Sequence, residues 1–515
     1  MKKLAKILVS ALLAVTMCLI VGCDLSGGGS STKPDPDPKP EVKTVEGNYT
    51  LTQKSVSSID ITDRFLSNVI NLEKGAVIWT EITMAGREVQ NGTYTVANNK
   101  VMVKIGLKTY EFETDEDFSK LEFSGKINRT TVIMNYVKND TYKEPSDLGT
   151  VDFKGELFGD DINENFYNYC PTVIMEGRFM HIWYCSNKDS GNVTDYIAYR
   201  KGTLHDDGKW SFSEKSLVLE HGAQGEWDCR HVCDPTVVKG EFNYNNEKYG
   251  YLMAYLGCAS SNVTVNEVGI AIAKSPEGPW IKPALINPVA DYYKDFNLSR
   301  TDPSLNTGKP EATCWGYGQP SLLSVDKKGT VILFYSAGVT TGTFTNAEMW
   351  NFSDINNPVR LNKLMVSNKN ITNSAGGQDV INNADFAYDP QTGRLYCIKE
   401  DFPYPTQNGT NWITGSNTIF YVDIGKTEIL GSRLFEDYRY SWTMLGKVDS
   451  GSTGFKRNHN MGIVTDAYGY LTDSMQIPVV YTMARTSDEY PDWNKGGQWP
   501  SLHTYRLHGI MIEVE

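Results

Sequence analysis

After its first two dozen residues the 515-residue chain has no apolar run approaching the roughly 20 residues that a bilayer-spanning helix requires. It has no basic surplus either. Its 49 Lys and Arg are outnumbered by 62 Asp and Glu, giving a formal charge of −13. No Lys/Arg run occurs after the N-terminus, so the clustered basic face that nucleic acid demands is missing. From about residue 146 onward no long amphipathic helical period is found. HExxH, GxSxG and Walker-type loops are absent, and Gly316-Tyr317-Gly318 lacks a third glycine and runs into Pro320, which excludes a nucleotide loop. Cysteine is scarce, at nine residues. Cys229 and Cys233 flank His231, but the second ligand pair of a structural zinc site is lacking.

What is present begins with a leader. Lys2, Lys3 and Lys6 precede an uncharged run from Ile7 to Val21, followed by Gly22 and Cys23, which is a signal-peptide layout. Ile20-Val21-Gly22-Cys23 resembles the lipobox of bacterial lipoproteins. That resemblance implies removal of residues 1–22 and diacylation of the Cys23 thiol; ordinary secretion with an incidental Cys is the alternative. Losing the leader moves the formal charge to about −16. Residues 23–44, with GGGSS and KPDPDPKP, have almost nothing to bury and read as a disordered tether. The expected address is extracytoplasmic, periplasmic or cell-surface, with the membrane engaged through the N-terminal lipid. Once Cys18 has left and Cys23 carries lipid, seven cysteines remain and cannot all pair. Cys185, Cys258 and Cys397 sit in apolar runs and read as free, buried thiols.

Residues 45–145 are dense in short alternating segments (AVIWTEITM, GTYTVANN, KVMVKIGL, TYEFET, TTVIMNYV) separated by Gly, Asn and Asp turns. Seven or eight antiparallel strands in a hundred residues predict a small closed barrel. The order GNYTL, NGTYTVANNKVMV, FSGKINRTTVIMNYVK resembles the lipocalin-like domains of bacterial lipoproteins, and an immunoglobulin-like sandwich would alternate similarly.

Residues 146–515 hold a degenerate repeat of strand, turn and strand. Its copies start at NYCPTVIMEGRFMHIWYCS, HVCDPTVV, YGQPSLLSVDKKGTVILFYSAG, NNADFAYDPQTGRLYCIKED and NHNMGIVTDAYGYL. Taking Pro171, Pro235, Pro320, Phe386 and Met461 as markers, the intervals are 64, 85, 66 and 75 residues. Five such units predict a five-bladed β-propeller, so the whole is expected to be all-β, a small N-terminal antiparallel barrel followed by that propeller. LHTYRLHGIMIEVE is placed to close the ring with residues near 150. The starts of the innermost strands converge on one mouth of such a channel. They nominate Tyr169, Cys170, His231, Asp234, Gln319, Asp385 and His459. Trp227 and Arg230, just before His231, supply an aromatic face and a hydrogen-bonding cation suited to a sugar.

The five-blade layout, with CDPTVV, YLMAYLG and NEVGIAIAKSPEGPW in blade two and NHNMGIVTDAYGYL with PVVYT in blade five, resembles glycoside hydrolase families 43 and 32. That resemblance implies three acids, from blades one, two and three. Asp234 falls on the modulating Asp of blade two, whereas Cys170 stands where the base would precede Pro171 and Gln319 where the Glu would precede Pro320. Catalytic carboxylates are therefore sought at Asp234, Glu267, Asp385 and Glu311. His459 resembles a blade-five His that orients a central metal in some members, so a metal ion near His459 is the one cofactor allowed for. Two functions stay open: hydrolysis of a glycosidic bond in a poly- or oligosaccharide, and non-catalytic glycan binding by a chain that kept the fold but lost two of the three acids.

Overall fold

The computed structural model describes residues 43–83, 86–142, 155–158, 165–204, 210–259, 265–403, 413–425, 434–436, 440–486, 489 and 500–514. The expected leader, Cys23 and the tether up to residue 42 lie outside the described residues. Among the described residues no helix is long and apolar enough to cross a membrane.

The alternating segments do become strands: β1 (Gly47–Val56), β2 (Ile59–Asp60), β3 (Ser67–Glu73), β4 (Ala76–Thr83), β5 (Gly86–Ala97), β6 (Lys100–Ile105), β7 (Lys108–Glu113), β8 (Lys120–Ile127) and β9 (Thr130–Lys138). Lys74-Gly75, Asn98-Asn99 and Asn128-Arg129 place two successive residues at positive φ. That is the backbone of the tight hairpin turn whose twist matches its strands. β1 pairs with both β3 and β9, from Tyr49 opposite Lys138 to Val56 opposite Val132, so eight strands close into a barrel while β2 is a short flap on β1. Eight strands enclose only enough room for side chains. Trp79, Tyr110, Phe112, Phe123 and Tyr136 fill it edge to face. The two polar tips inside, Trp79 Nε1 and Tyr136 Oη, both donate to Asn68 Oδ1, at 2.9 and 3.0 Å.

The second part is built of antiparallel sheets whose first strands share one axis. They are β11 (Asn168–Glu176) with β12 (Phe179–Asn187), β13 (Asp195–Leu204), β14 (Trp210–Phe212) and β15 (Ser216–Leu219); β16 (His231–Tyr244) with β17 (Glu247–Cys258) and β18 (Glu267–Ala273); β19 (Gly316–Ser324) with β20 (Thr330–Val339), β21 (Gly342–Asn351) and β22 (Val359–Met365); β23 (Asp385–Asp389) with β24 (Arg394–Glu400), β25 (Asn417–Asp423) and β26 (Thr443–Val448); and β27 (Arg457–Asp466) with β28 (Gln476–Ala484) and β29 (Arg506–Glu513). A short β10 (Gly155–Glu156) adds to the outer edge of β29, so the last strand does meet residues close to 150. The first strands touch in cyclic order, β11 on β16, β16 on β19, β19 on β23, β23 on β27 and β27 back on β11. At the last seam the contact is a parallel ladder, Val173 opposite Val464, which merges two sheets into one curled sheet.

That seam depends on one small residue. A Cβ on Gly462 would lie 2.2 Å from the Pro171 carbonyl oxygen, and backbone cannot step aside as a side-chain tip does. Gly462→Ala is expected to cost about 1–3 kcal/mol, seen as a lower thermal midpoint, with Gly177→Ala, where nothing lies within 4 Å but φ is positive, separating the clash from backbone strain.

Two findings change the sequence reading. Cys185 is not a free thiol: it forms a disulfide with Cys233, tying β12 to β16 of the neighbouring sheet. The fourth repeat is also phased two residues earlier than Phe386 suggests. Asn383-Ala384 occupies the place of Cys170-Pro171 and Asp234-Pro235, so Ala384 stands where the proline marker was sought.

The barrel docks at the end of the ring where the first strands finish. Leu66 and Ile82 pack against Val173, Met175 and Val464, each burial contributing roughly 1.5–3 kcal/mol. Beside them Arg64, itself buried, reaches Asp389 at the end of β23, 3.5 Å away. Lys327 adds a bond from Nζ to the Asp60 carbonyl at 2.9 Å.

Candidate functional site

At the opposite end each first strand opens with a kink. Cys170, Asp234, Gln319, Asn383 and Asn460 have φ of 50°, 47°, 45°, 43° and 37°. Left-handed backbone at a non-glycine residue costs of order 1–3 kcal/mol and persists only where surroundings enforce it. Here it recurs within four of the first strands and two residues before the other, β23, and in those four the ladder register shifts at the same point: between Tyr169 and Thr172, Cys233 and Thr236, Gly318 and Ser321, and His459 and Gly462. A bulge re-aims side chains, and these five converge on the axis. With Pro171, Thr172, Pro235, Thr236, Pro320, Ala384, Asp385 and Met461 they line a pocket at that mouth.

The second residue after three of these kinks stitches its strand to the next. Thr236 Oγ1 accepts from Leu322 N–H at 3.0 Å, Ser321 Oγ from Phe386 N–H at 3.1 Å, and Asp385 Oδ2 from Ile463 N–H at 2.7 Å. Asp385 is thus the acidic member of a hydroxyl series. Its second oxygen accepts from Ser321 Oγ at 2.6 Å. Asp234 receives the Cys170 thiol and the Gln319 N–H. Burial raises both carboxyls from the ordinary value to about 6, against the lowering effect of those hydrogen bonds. Two buried acceptors at the pocket, Gln319 Oε1 and Asn460 Oδ1, have no partner among the described residues.

Beside the pocket sits Glu400, the last residue of β24 and fully buried. Its Oε1 meets His459 Nδ1 at 2.5 Å and Asn460 N–H at 2.9 Å, and its Oε2 accepts from Asn383 Nδ2 at 2.7 Å. One carboxylate therefore fixes two of the five kinked residues. The Tyr169 ring stacks on His459 with centroids 6.4 Å apart, and Tyr505 meets both rings edge-on.

No family model matches the chain. No curated protein matches it either. The solved structures it is similar to include glycoside hydrolases. They include Zg3597, a family 117 enzyme from Zobellia galactanivorans (12% identity, 69% of this chain and 88% of that chain, TM-score 0.40), and a thermostable family-43 glycoside hydrolase (12%, 70% and 93%, 0.39). Another is the α-L-arabinofuranosidase PaAbf62A from Podospora anserina, in complex with cellotriose (13%, 70% and 97%, 0.41). At that degree of likeness neither a family nor an activity is assigned to this chain.

Of the residues nominated from the sequence, Cys170, Asp234, Gln319 and Asp385 line the pocket, and Tyr169 and His459 flank it. His231 Nδ1 lies 3.0 Å from the Asp195 N–H and 3.1 Å from Asp195 Oδ2, which also orders Tyr167 through Oδ1. Trp227 covers Gly257 and Gly269, where a Cβ would meet its ring at 2.5 and 2.3 Å, and packs on Tyr255. Arg230 Nε is buried with no partner among the described residues. Glu267 and Glu311 are not among the pocket residues. Glu267 is gripped by Arg300 at 2.8 and 3.0 Å, and Glu311 accepts from Thr340 Oγ1 at 2.8 Å. Around His459 no set of three ligand-type side chains assembles among the described residues.

Sequence reasoning missed Glu400, yet a signal existed. In an antiparallel pair the end of the second strand returns to the level where the first begins, so the last residue of each second strand belongs to the mouth as much as the strand starts do.

The raised carboxyls carry a pH prediction. A folded-state value of about 6 against an unfolded value near 3.9 means that the native state holds the proton more tightly. The stabilisation is complete below about pH 4 and is lost as the pH rises through 6. Asp385→Asn has no proton to lose, so its stability relative to wild type is expected to improve by ~2–3 kcal/mol between pH 4 and pH 7. Paired denaturant titrations at the two pH values read this difference, and a constant offset would contradict it.

Proposed function

We propose that the chain is a membrane-anchored, carbohydrate-active protein whose five sheets form a five-bladed propeller. In this reading the pocket at its mouth takes one sugar of a poly- or oligosaccharide and hydrolyses its glycosidic bond with Asp234 and Asp385 as the acid pair. The observation that carries the reading is two buried carboxyls, both raised to about 6, lining one pocket beside the amides of Gln319, Asn383 and Asn460. Glycoside hydrolysis needs one carboxyl that keeps its proton for the leaving oxygen and one that is ionised, and this pair holds about one proton between its members near pH 6. The unpartnered Gln319 and Asn460 oxygens would accept from sugar hydroxyls.

A specific observation favours a second reading, glycan binding without cleavage: protein hydrogen bonds already engage both oxygens of Asp385, and Asp234 is bonded by Cys170 and Gln319. A panel of plant and microbial glycans, offered to wild type and Asp234→Asn, tells the two apart. Product release by wild type that the variant loses supports hydrolysis. Binding without release, for every glycan that binds, supports the second reading, and neither binding nor release rejects both.

The lipocalin-like character of the barrel, the signal peptide (1–22), the Cys23 lipid and the tether (23–44), followed by units at 45–145 and 146–515, belong to the same proposal. The anchor and tether rest on the leader, the lipobox-like tetrapeptide and the composition after it, and the two units on the order of the alternating segments and on the repeat. Cys23→Ala is expected to move the chain from the membrane fraction to the soluble one.

A further inference from the structure

Three sulfur atoms meet beneath the pocket. Cys170 Sγ on β11, Cys185 Sγ on β12, Cys233 Sγ on β16 and a carboxylate oxygen of Asp234 lie within 4.8 Å of one another, and all four residues are buried. Cys185 and Cys233 are joined as a disulfide, while Cys170 is a free thiol held by Asn460 Nδ2. The Asp234 N–H points at Cys185 Sγ, 2.9 Å away, so backbone as well as side chain gathers round the sulfurs. Among the described residues this is the one place where three or more ligand-type side chains come together.

A tetrahedral ion bound at about 2.3 Å to sulfur and 2.0–2.2 Å to oxygen sets its ligands roughly 3.5–3.8 Å apart. The four atoms lie within 4.8 Å of one another, the Cys185 and Cys233 sulfurs closer than an ion would set them because they are bonded to each other. Three thiolates and one carboxylate suit zinc and its spectroscopic substitute cobalt; calcium and magnesium take oxygen ligands. The disulfide is what stands between the cluster and such an ion, because a sulfur–sulfur bond leaves neither Cys185 nor Cys233 as a thiolate.

We propose that opening the Cys185–Cys233 disulfide converts this cluster into a binding site for one thiophilic divalent cation such as Zn²⁺, held by Cys170, Cys185, Cys233 and Asp234. A dithiol reductant transfers two electrons and two protons to the disulfide and becomes a disulfide itself, leaving two new thiols. The cation then displaces one proton from each of the three thiols, and the Asp234 carboxylate completes four-coordination. The disulfide acts as a redox gate. In the oxidised chain Asp234 remains available to the pocket; in the reduced, metal-bound chain it is committed to the ion. The site stands independently of the glycan reading, since its occupancy is read from metal alone.

The test uses the full chain, oxidised or reduced with dithiothreitol that is then removed by gel filtration without air, and Co²⁺ as the probe. The reduced chain is expected to retain one Co²⁺ with the intense visible bands of tetrahedral cobalt and sulfur-to-cobalt charge transfer, and the oxidised chain none. Cys170→Ser should weaken retention by roughly tenfold or more, whereas Cys314→Ser, at a cysteine outside the cluster, should not alter it. Absence of cobalt from the reduced chain, equal retention by the oxidised chain, or retention indifferent to Cys170→Ser overturns the proposal. Because reduction also loosens the fold, thermal midpoints of the reduced chain with and without Zn²⁺ give a second reading. Zn²⁺ should raise the midpoint of wild type and raise that of Cys170→Ser by less, and an unchanged wild-type midpoint overturns the proposal as well.

Discussion

Lys399→Met is expected to lower stability by about 3–5 kcal/mol, the cost of removing one partner from a buried ion pair. Lys399 is fully buried on β24, and its ammonium lies between Asp379 and Asp401, the latter 3.0 Å away, with a third bond to the Glu400 carbonyl at 3.2 Å. Both carboxylates are almost as deeply buried. Asp379 also accepts from the N–H groups of Val380 and Phe402, and Asp401 from Ser374 N–H, Ser416 Oγ and Thr418 Oγ1. Methionine matches the volume of the lysine stem, so the loss is electrostatic: two negative charges stay in a water-poor site with no cation. Urea titrations of wild type and variant measure it, and a small deficit would show the cluster to be better solvated than its burial implies.

The effect should reach the pocket. Glu400 follows Lys399 directly and positions His459, Asn460 and Asn383. Neither residue stands out in the sequence. LYCIKED reads as an ordinary second strand, and nothing in the alternation shows that a lysine pointing inward there meets an aspartate twenty residues upstream and another two residues on.

What could be read was set by local chemistry. Asn and Gly pairs mark the barrel turns because two successive positive-φ residues are needed there. Proline marks three of the five strand starts, and from these the phase of the first, second and third repeats follows. Where proline is replaced by Ala384 the phase slips by two residues, and Phe386, a core residue stacked on Phe334, takes the marker's place. The disulfide was illegible for a different reason: seven cysteines allow many pairings, and Cys185 and Cys233 are brought together only when two successive sheets pack side by side. Glu267 shows the limit of reasoning from motif to site. It opens β18, a third strand, and an acid there faces the next layer outward, where Arg300 and Asp291 meet it. Burial raises its pKa against the pull of Arg300, which gives it a catalytic look without bringing it to the axis.

On the hydrolytic reading, Asp234→Asn is expected to lower kcat by about 10²–10⁴-fold, the usual contribution of a positioned acid or base, equivalent to roughly 3–5 kcal/mol of barrier. The two carboxyls have similar values of about 6, so the form with one carboxyl protonated and the other ionised is most populated near pH 6. The rate profile should be a narrow bell centred there. Replacing one Asp by Asn removes one titration, so a variant with residual activity should show a single limb. Asp385→Asn separates structural from chemical roles: the amide oxygen can still accept from Ile463 N–H and preserve the stitch between β23 and β27, but it cannot take up a proton. Loss of kcat in that variant with glycan affinity retained would place Asp385 in the chemistry. If both variants cleave at the wild-type rate, the acid pair is refuted, and the carboxyls of the ring are there to hold five kinked strands around a binding pocket.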